Sequence, residues 1–210
     1  MFDVQKLLER CGELHGHICP GQLLGVRMGI LGCNTIGIED PTGADRKKLL
    51  VWVEIDRCMT DALSVVTGAK LGRRSLKFVD YGKVAASFLN LDTSNAVRIS
   101  ARDSSRALAD TRYPEIASKK ERQMRTYFDA TDTELFSVER VSIEVSEQDL
   151  PGRPRSRVSC SKCGEGINDR REVLRTDGSV ECRSCAVGGY YTISKVDEPK
   201  LSGTPDLSTP

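Results

Sequence analysis

Apolar residues recur at intervals of three and four in the first part of the chain, the period of a helix buried on one face. The first stripe consists of Val4, Leu7, Leu8, Cys11 and Leu14. It predicts a helix over residues 2–14, ended by Gly16. A second helix is predicted from Pro20 to Gly32, because proline fits the first turn of a helix and glycine follows the last.

Continuous and alternating apolar runs farther along the chain predict a sheet. The predicted strands cover residues 49–56, 76–79, 84–91, 96–101 and 137–145. The first is apolar almost throughout, which is typical of a strand covered on both faces. Two more helices are predicted over 58–67 and 114–129. Helices and antiparallel hairpins that mix without strict alternation indicate an α+β core.

The composition changes near residue 150, where prolines and arginines cluster. We therefore expect a core domain over residues 1–150 and a small cysteine-rich domain over 151–198. The residues from 199 to 210 are polar and rich in proline and serine, and this composition predicts a flexible tail.

Charge and hydrophobicity exclude several classes of protein. The 210 residues carry a net charge of +1, so no overall field draws in nucleic acid or an anionic membrane. No run approaches the roughly 20 apolar residues that span a bilayer, and the first residues do not resemble a signal peptide. Eight cysteines in such a chain indicate thiols and metal binding rather than disulfides, and predict a cytoplasmic location.

The strongest motif is a pair of Cys-x2-Cys sequences separated by 18 residues. Its members are Cys160, Cys163, Cys182 and Cys185. This spacing is typical of a structural zinc site with four thiolates. Turn residues between the pairs and a helix predicted over 182–186 favour a treble-clef zinc finger. A disulfide pair, a redox role and an iron–sulfur site are the alternatives.

This finger also carries the main alternative function, that of a module contacting nucleic acid or a protein partner. It contains nine basic residues against five acidic ones between positions 151 and 196. Arg153, Arg155 and Arg157 can bind phosphate, but clustered arginines in a linker are more often simply solvated. Because the basic excess is modest, nucleic acid is not the partner we expect.

A second group of metal ligands lies near the start of the chain. Both histidines, His15 and His17, lie within three positions of each other, and Cys19 follows. A helix break at Gly16 allows both imidazoles to face one ion, because residues two apart share a face only in extended chain. Imidazole and thiolate favour zinc, nickel, copper or iron over magnesium or calcium.

Cys58 is the expected partner of Cys19, since each precedes or begins a predicted helix. There the unpaired amides and the helix dipole stabilise a thiolate. The predicted core site therefore uses His17, Cys19 and Cys58, with His15 beside them, and holds a second zinc or another transition metal. Three protein ligands leave a position open for water or substrate. The alternative is that Cys58 is a small buried apolar residue.

Carboxylates near Cys58 extend this hypothesis. Glu54 and Asp56 share a face of the predicted strand, and Asp61 lies on the same side of the next helix as Cys58. They are candidate proton acceptors or partners that orient the imidazoles, although acids at strand ends are commonly just solvated. Cys11 and Cys33 are expected to be packing residues.

Ordered motifs over about residues 1–145 resemble FmdE, a family of formylmethanofuran dehydrogenase subunits. They are the segment from His15 to Arg27, the segment from Glu54 to Asp61, Thr67-Gly68, Leu71-Gly72 and the segment from Asp80 to Lys83. The resemblance implies an α+β core that is often a dimer, and in some members a C-terminal treble-clef zinc finger. It also implies a site at His15, His17, Cys19 and Cys58, with Lys83 nearby.

The chain departs from this family at Ala69, where many relatives carry a cysteine, so a mechanism that needs a thiol pair there is not expected. The dehydrogenase reaction also requires a molybdenum or tungsten pterin, which the resemblance implies is carried on other subunits. This chain is therefore not the complete enzyme.

The leading hypothesis is a metal-binding accessory subunit, or a stand-alone relative, in one-carbon, methanogenesis-related or molybdenum-enzyme metabolism. The expected partners are a second copy of the chain, other enzyme subunits and a small-molecule substrate of unknown identity, without a membrane. A third hypothesis makes Cys19 or Cys58 a redox thiol or nucleophile that works without metal.

Overall fold

The structure is a computed structural model, and it describes residues 2–194. The chain divides into two compact units, Met1–Arg153 and Pro154–Pro210. The tail predicted over 199–210 lies outside the described residues. Within the described part, no helix is both long and apolar enough to cross a membrane.

The first unit combines helices with one sheet. Its described α-helices are α1 (Val4–His15), α2 (Pro20–Thr35), α3 (Cys58–Thr67), α4 (Ser104–Arg112), α5 (Lys119–Asp129) and α6 (Asp132–Leu135). Its described strands are β1 (Leu49–Val53), β2 (Leu76–Phe78), β3 (Ala85–Asn90), β4 (Ala96–Ala101) and β5 (Phe136–Arg140). Short 3-10 turns span Leu71–Arg73 and Glu147–Asp149.

The five strands form a mixed sheet in the order β2-β1-β3-β4-β5. Strands β1 and β2 are parallel, and the other pairs are antiparallel. In the centre, Val51 of β1 lies opposite Phe88 of β3 and pairs with Leu76 of β2. The predicted α+β class is confirmed.

Strand β1 has apolar neighbours on both faces, as its sequence predicts. Val51 and Val53 belong to the main core with α1, α2 and α3. Leu50 belongs to a second cluster, against which Trp52 and the segment 141–150 pack. The strand predicted over 137–145 therefore ends early, at Arg140, because the residues after it cover this second face instead of continuing the ladder.

The helices show where local signals suffice. Helix α1 begins after Asp3, whose carboxylate accepts the Lys6 amide proton at 3.1 Å, and α3 has the predicted bounds. By contrast, the sequence pattern does not predict α4, and the helix expected from residue 114 begins only at Lys119. Helix α4 buries only Ser105 and Ala109, a stripe too short to recognise by its period.

A row of glycines on α2 allows very close packing against α3. A Cβ atom at Gly25 would lie 2.7 Å from the Ala62 Cβ and from the Met59 carbonyl oxygen. A Cβ at Gly29 would lie 2.9 Å from Val66. Since the contacts run in the same direction along both helices, α2 and α3 are parallel and their N-termini are neighbours.

The second unit contains two short hairpins and a helix. Its described elements are β6 (Arg157–Ser159), β7 (Gly166–Asn168), β8 (Val173–Leu174), β9 (Val180–Glu181) and α7 (Arg183–Val187). Strands β6 and β7 pair, as do β8 and β9. This order of knuckle, hairpin and helix agrees with the treble-clef finger that the sequence predicts.

We predict that Gly25→Ala lowers the free energy of unfolding of the first unit by about 1–2 kcal/mol. The added methyl group overpacks the contact between α2 and α3, which outweighs a helix-propensity gain of up to about 1 kcal/mol. Urea unfolding followed by the fluorescence of Trp52, the single tryptophan, measures the change.

Gly72→Ala is the matched control, because a Cβ there meets no atom within 4 Å. Its effect should stay within about 0.5 kcal/mol. Equal stability of Gly25→Ala and the natural chain would contradict the close packing.

Candidate functional site

The loop between α1 and α2 folds back over the end of α1. Gly16 ends the helix with φ of 86°, and its amide donates to the Gly12 carbonyl at 2.8 Å. A Cβ at Gly12 would lie 2.7 Å from the Ile18 side chain, so glycine makes room for the returning chain. The predicted break at Gly16 is present, and it turns the following residues toward α3.

This loop brings three candidate ligands together. One ligand atom each from His15, His17 and Cys19 lies within 4.8 Å of the others, and the two imidazole ring centroids are 4.8 Å apart. His17 is exposed, while His15 and Cys19 are half-buried. Tetrahedral zinc needs ligand atoms about 3.3–3.8 Å apart, so small side-chain rotations suffice to close these three on an ion.

Cys58 reaches this cluster through Cys19. Cys19 caps α2 and Cys58 is the first residue of α3, so the parallel packing of the two helices makes the residues neighbours. A Cβ at Gly21 would lie 3.4 Å from the Cys58 Cβ and 3.8 Å from the Cys19 Sγ. Burial, followed by the hydrogen bond with the Cys19 thiol, raises the pKa of Cys58. Cys58 itself is outside the group of three within 4.8 Å.

Asp61 approaches the cluster from the first turn of α3. Its Oδ2 lies 2.8 Å from the Nδ1 of His15. A proton on Nδ1 is donated to this carboxylate, which leaves Nε2 as the nitrogen available to an ion. Carboxylates commonly orient metal-binding imidazoles in this way.

Gln22 is a positioning residue that the sequence patterns above do not single out. Its side chain is fully buried. The Cys19 amide donates to the Gln22 Oε1 at 3.0 Å, and the Gln22 Nε2 donates to the Cys11 carbonyl at 3.0 Å. The amide thereby fixes Cys19 against α1. A glutamine three residues after a helix cap is the signal that could have identified it.

Two carboxylates from the sequence hypothesis are elsewhere. Strand β1 ends at Val53, so the expectation that Glu54 and Asp56 share a strand face is wrong. Glu54 is buried and accepts hydrogen bonds from the Nε and Nη2 of Arg98 at 2.7 and 2.8 Å. Asp56 is exposed in the loop before α3.

Lys83 and Ala69 are also separate from the cluster. Lys83 is exposed, and its ammonium lies 5.9 Å from the centroid of the Tyr81 ring. Among residues 2–194, no hydrogen bond or ion pair joins it to His15 or Cys19. Ala69 is buried just beyond the C-terminus of α3, about 15 Å along the helix from Cys58.

A cavity of about 470 Å³ opens beside Cys58, a size typical of small-molecule sites. Apolar side chains form much of its wall, namely Leu24, Ile55, Met59, Val84 and Tyr127. Arg27 of α2 holds α5 in this place, because its guanidinium donates to the Tyr127 carbonyl at 2.8 Å and pairs with Asp132 at 2.6 Å. The candidate site thus combines metal ligands with an adjoining cavity.

The four cysteines of the second unit form a separate cluster. One sulfur from each lies within 4.8 Å of the others, and the Cys163 and Cys182 sulfurs are 3.9 Å apart. Tetrahedral zinc at its usual bond length separates two sulfurs by about 3.8 Å. Backbone amides of Cys163 and Cys182 lower the pKa of Cys160 to about 6. These thiols therefore fit a closed four-sulfur metal site.

A family model described as "FmdE, Molybdenum formylmethanofuran dehydrogenase operon" matches residues 14–137. The chain belongs to the FmdE family. The resemblance carried by the motifs around His15 and Cys58 is thereby confirmed. The matched residues include the His15–Cys19 loop, Cys58 and the sheet.

A curated protein extends this comparison. The chain is 33% identical over 145 residues to a "Probable S-adenosyl-L-methionine-binding protein" of Archaeoglobus fulgidus. The match covers 69% of this chain but only 35% of that protein. The chain thus spans about a third of this relative.

A solved structure shares the fold. It is the crystal structure of an FmdE-like protein of tungsten formylmethanofuran dehydrogenase from Syntrophus aciditrophicus, with a TM-score of 0.62 and 22% identity. The match covers 91% of this chain and 96% of that one. At this identity the likeness concerns the fold alone.

We predict that Cys33 resists alkylation in the native protein. Burial raises its pKa to about 12, so at pH 8 only about one molecule in ten thousand carries the reactive thiolate. Iodoacetamide treatment followed by peptide mass spectrometry should show labelling at least about 100-fold slower than in urea-unfolded protein. Equal rates in both states would contradict the burial of this thiol.

Proposed function

We propose that the chain is a metal-binding FmdE protein whose core centre consists of His15, His17 and Cys19, completed by Cys58. The observation that carries the proposal is the convergence of three ligand atoms within 4.8 Å, next to a second thiol at a small-molecule cavity. The bound group is a second zinc or another transition metal, since nitrogen and sulfur donors suit these ions.

Each residue of the proposed centre has a distinct part. The imidazoles and Cys19 bind the ion, and Cys58 either joins them or remains a thiol at the cavity. Asp61 orients His15 through the 2.8 Å contact and can hold its proton. A metal with three protein ligands supplies an open coordination position for water or substrate. The resemblance adds Lys83 as a residue that approaches the site when substrate is bound.

In this proposal the protein acts as an accessory subunit of a formylmethanofuran dehydrogenase, or as a stand-alone relative in one-carbon or molybdenum-enzyme metabolism. The family description supports this context. A homodimer and contacts with other enzyme subunits belong to the same proposal. Light scattering of the purified chain tests the dimer, because a monomeric mass would contradict it.

The four-cysteine unit has a structural role in this proposal, with zinc as its ion. Several of its charged side chains are engaged with one another, which disfavours the alternative of a nucleic-acid module. Arg175 donates to Glu181 and to the Ala186 carbonyl, both at 2.8 Å. Lys162 lies 3.4 Å from the Cys185 carbonyl oxygen and 3.7 Å from Glu181. These cations support the finger rather than facing a partner.

We predict that the double variant His17→Ala, Cys58→Ala loses about one equivalent of metal per chain and keeps a second. The core centre loses two of its donors, whereas the finger retains all four thiolates. Elemental analysis of metal-replete protein measures both equivalents.

Cys33→Ala is the control, because it removes a thiol that belongs to neither cluster. Its metal content should equal that of the natural chain. An unchanged content in the double variant would remove the core metal site from the proposal.

We predict that Cys163→Ala releases about one equivalent of metal and unfolds the finger, because a module of this size derives most of its folding free energy from the ion. Limited proteolysis should then cut within residues 154–194 while the first unit stays resistant. Ser161→Ala, in the same knuckle, should retain the metal. Metal-bound, protease-resistant Cys163→Ala protein would contradict a four-thiolate site.

A further inference from the structure

The cavity beside Cys58 has an uneven distribution of charge. Three of its lining residues are cations, namely Arg57, Arg106 and Lys119, and its described lining contains no aspartate or glutamate. These cations come from three different parts of the fold: the residue before α3, α4 and the first turn of α5. The sequence does not place them together.

The three cations have no counter-charge within the protein. Across residues 2–194, none of them forms an ion pair or a side-chain hydrogen bond. Other surface cations of this unit do have such partners, for example Arg112 with Glu134 and Arg122 with Asp110. Like charges gathered without a counter-ion repel each other, so an anion bound among them is favoured.

Helix geometry adds to this positive potential. The cavity is lined by Pro20 and Gly21 at the start of α2, by Cys58 at the start of α3 and by Lys119 at the start of α5. Helix N-termini carry partial positive charge and unpaired amides. The same cavity has an apolar wall that includes Leu24 and Tyr127, which suits the uncharged part of a ligand.

We propose that this cavity binds a small organic anion, with its carboxylate or phosphate held by Arg57, Arg106 and Lys119 and its apolar part against the wall beside Cys58. This inference rests on the proposed function, because it names the substrate class of that centre. It does not require the metal itself, since neither histidine lines the cavity.

The test compares alkylation of Cys58 by iodoacetate, an anion, and by iodoacetamide, its neutral analogue. Both reagents attack the same thiolate, so the ratio of their rates cancels the pKa of Cys58 and reports the charge of the cavity. The full-length chain carries His15→Ala and His17→Ala to remove the imidazole donors, and its finger stays loaded with zinc. Failure of the core metal site therefore does not affect the result.

The iodoacetate-to-iodoacetamide ratio at Cys58, measured by peptide mass spectrometry, should be at least about threefold above that of N-acetylcysteinamide. Arg106→Gln and Lys119→Gln should each lower it by about threefold, the scale for one unit charge several ångströms away in a hydrated cavity. The excess should disappear in 1 M salt, where the screening length falls to about 3 Å.

Lys120→Gln is the matched control, since this lysine adjoins Lys119 but does not line the cavity. Its ratio should equal that of the parent protein. A ratio at Cys58 no higher than that of the free thiol, or an equal fall in all three variants, would overturn the proposal.

A second measurement separates the two anion classes. Phenyl phosphate and phenylacetate should slow the reaction of Cys58 with iodoacetamide, whereas the neutral 2-phenylethanol should not. The stronger protector identifies the preferred class. Absence of protection by either anion at millimolar concentration, or equal protection by the neutral compound, would also overturn the proposal.

Discussion

Close packing of α2 on α3 is the contact on which the candidate site depends. Gly25 and Gly29 leave no space for side chains between the helices, so the two run parallel at short distance. Parallel packing places both N-termini at one end of the unit, and Cys19 and Cys58 stand at those termini. A thiol pair, a positive helix potential and a cavity mouth therefore arise from one helix contact.

The loop after α1 depends on the same arrangement. Gly16 turns the chain, and the buried amide of Gln22 links Cys19 to the Cys11 carbonyl. Asp61, one turn into α3, meets His15 at 2.8 Å. The histidines thus gain their position from α3, although they belong to a different part of the sequence. In the second unit the cysteines are positioned by short-range knuckles, and local amides suffice to bring their sulfurs together.

Charge separates the two halves of the first unit's site. At the cluster, Asp61 provides a carboxylate beside His15. At the cavity, Arg57, Arg106 and Lys119 provide only positive charge. The buried carboxylate of Glu54 is neutralised by Arg98 and contributes to neither half. An anion bound at the cavity would therefore lie next to a centre that offers both a thiol and a metal position.

Local sequence determined the α+β class, the bounds of α3, the breaks at Gly16 and Gly68, and the ligand types at His15, His17 and Cys19, because periodicity, caps and spacing act over a few residues. Tertiary structure decided the rest. It ended β1 before Glu54, since that carboxylate pairs with Arg98 across the sheet, and it formed α4, whose apolar stripe is too short to recognise. The cations around Cys58 come from separate elements, and only the packing of the helices brings such distant residues to one cavity.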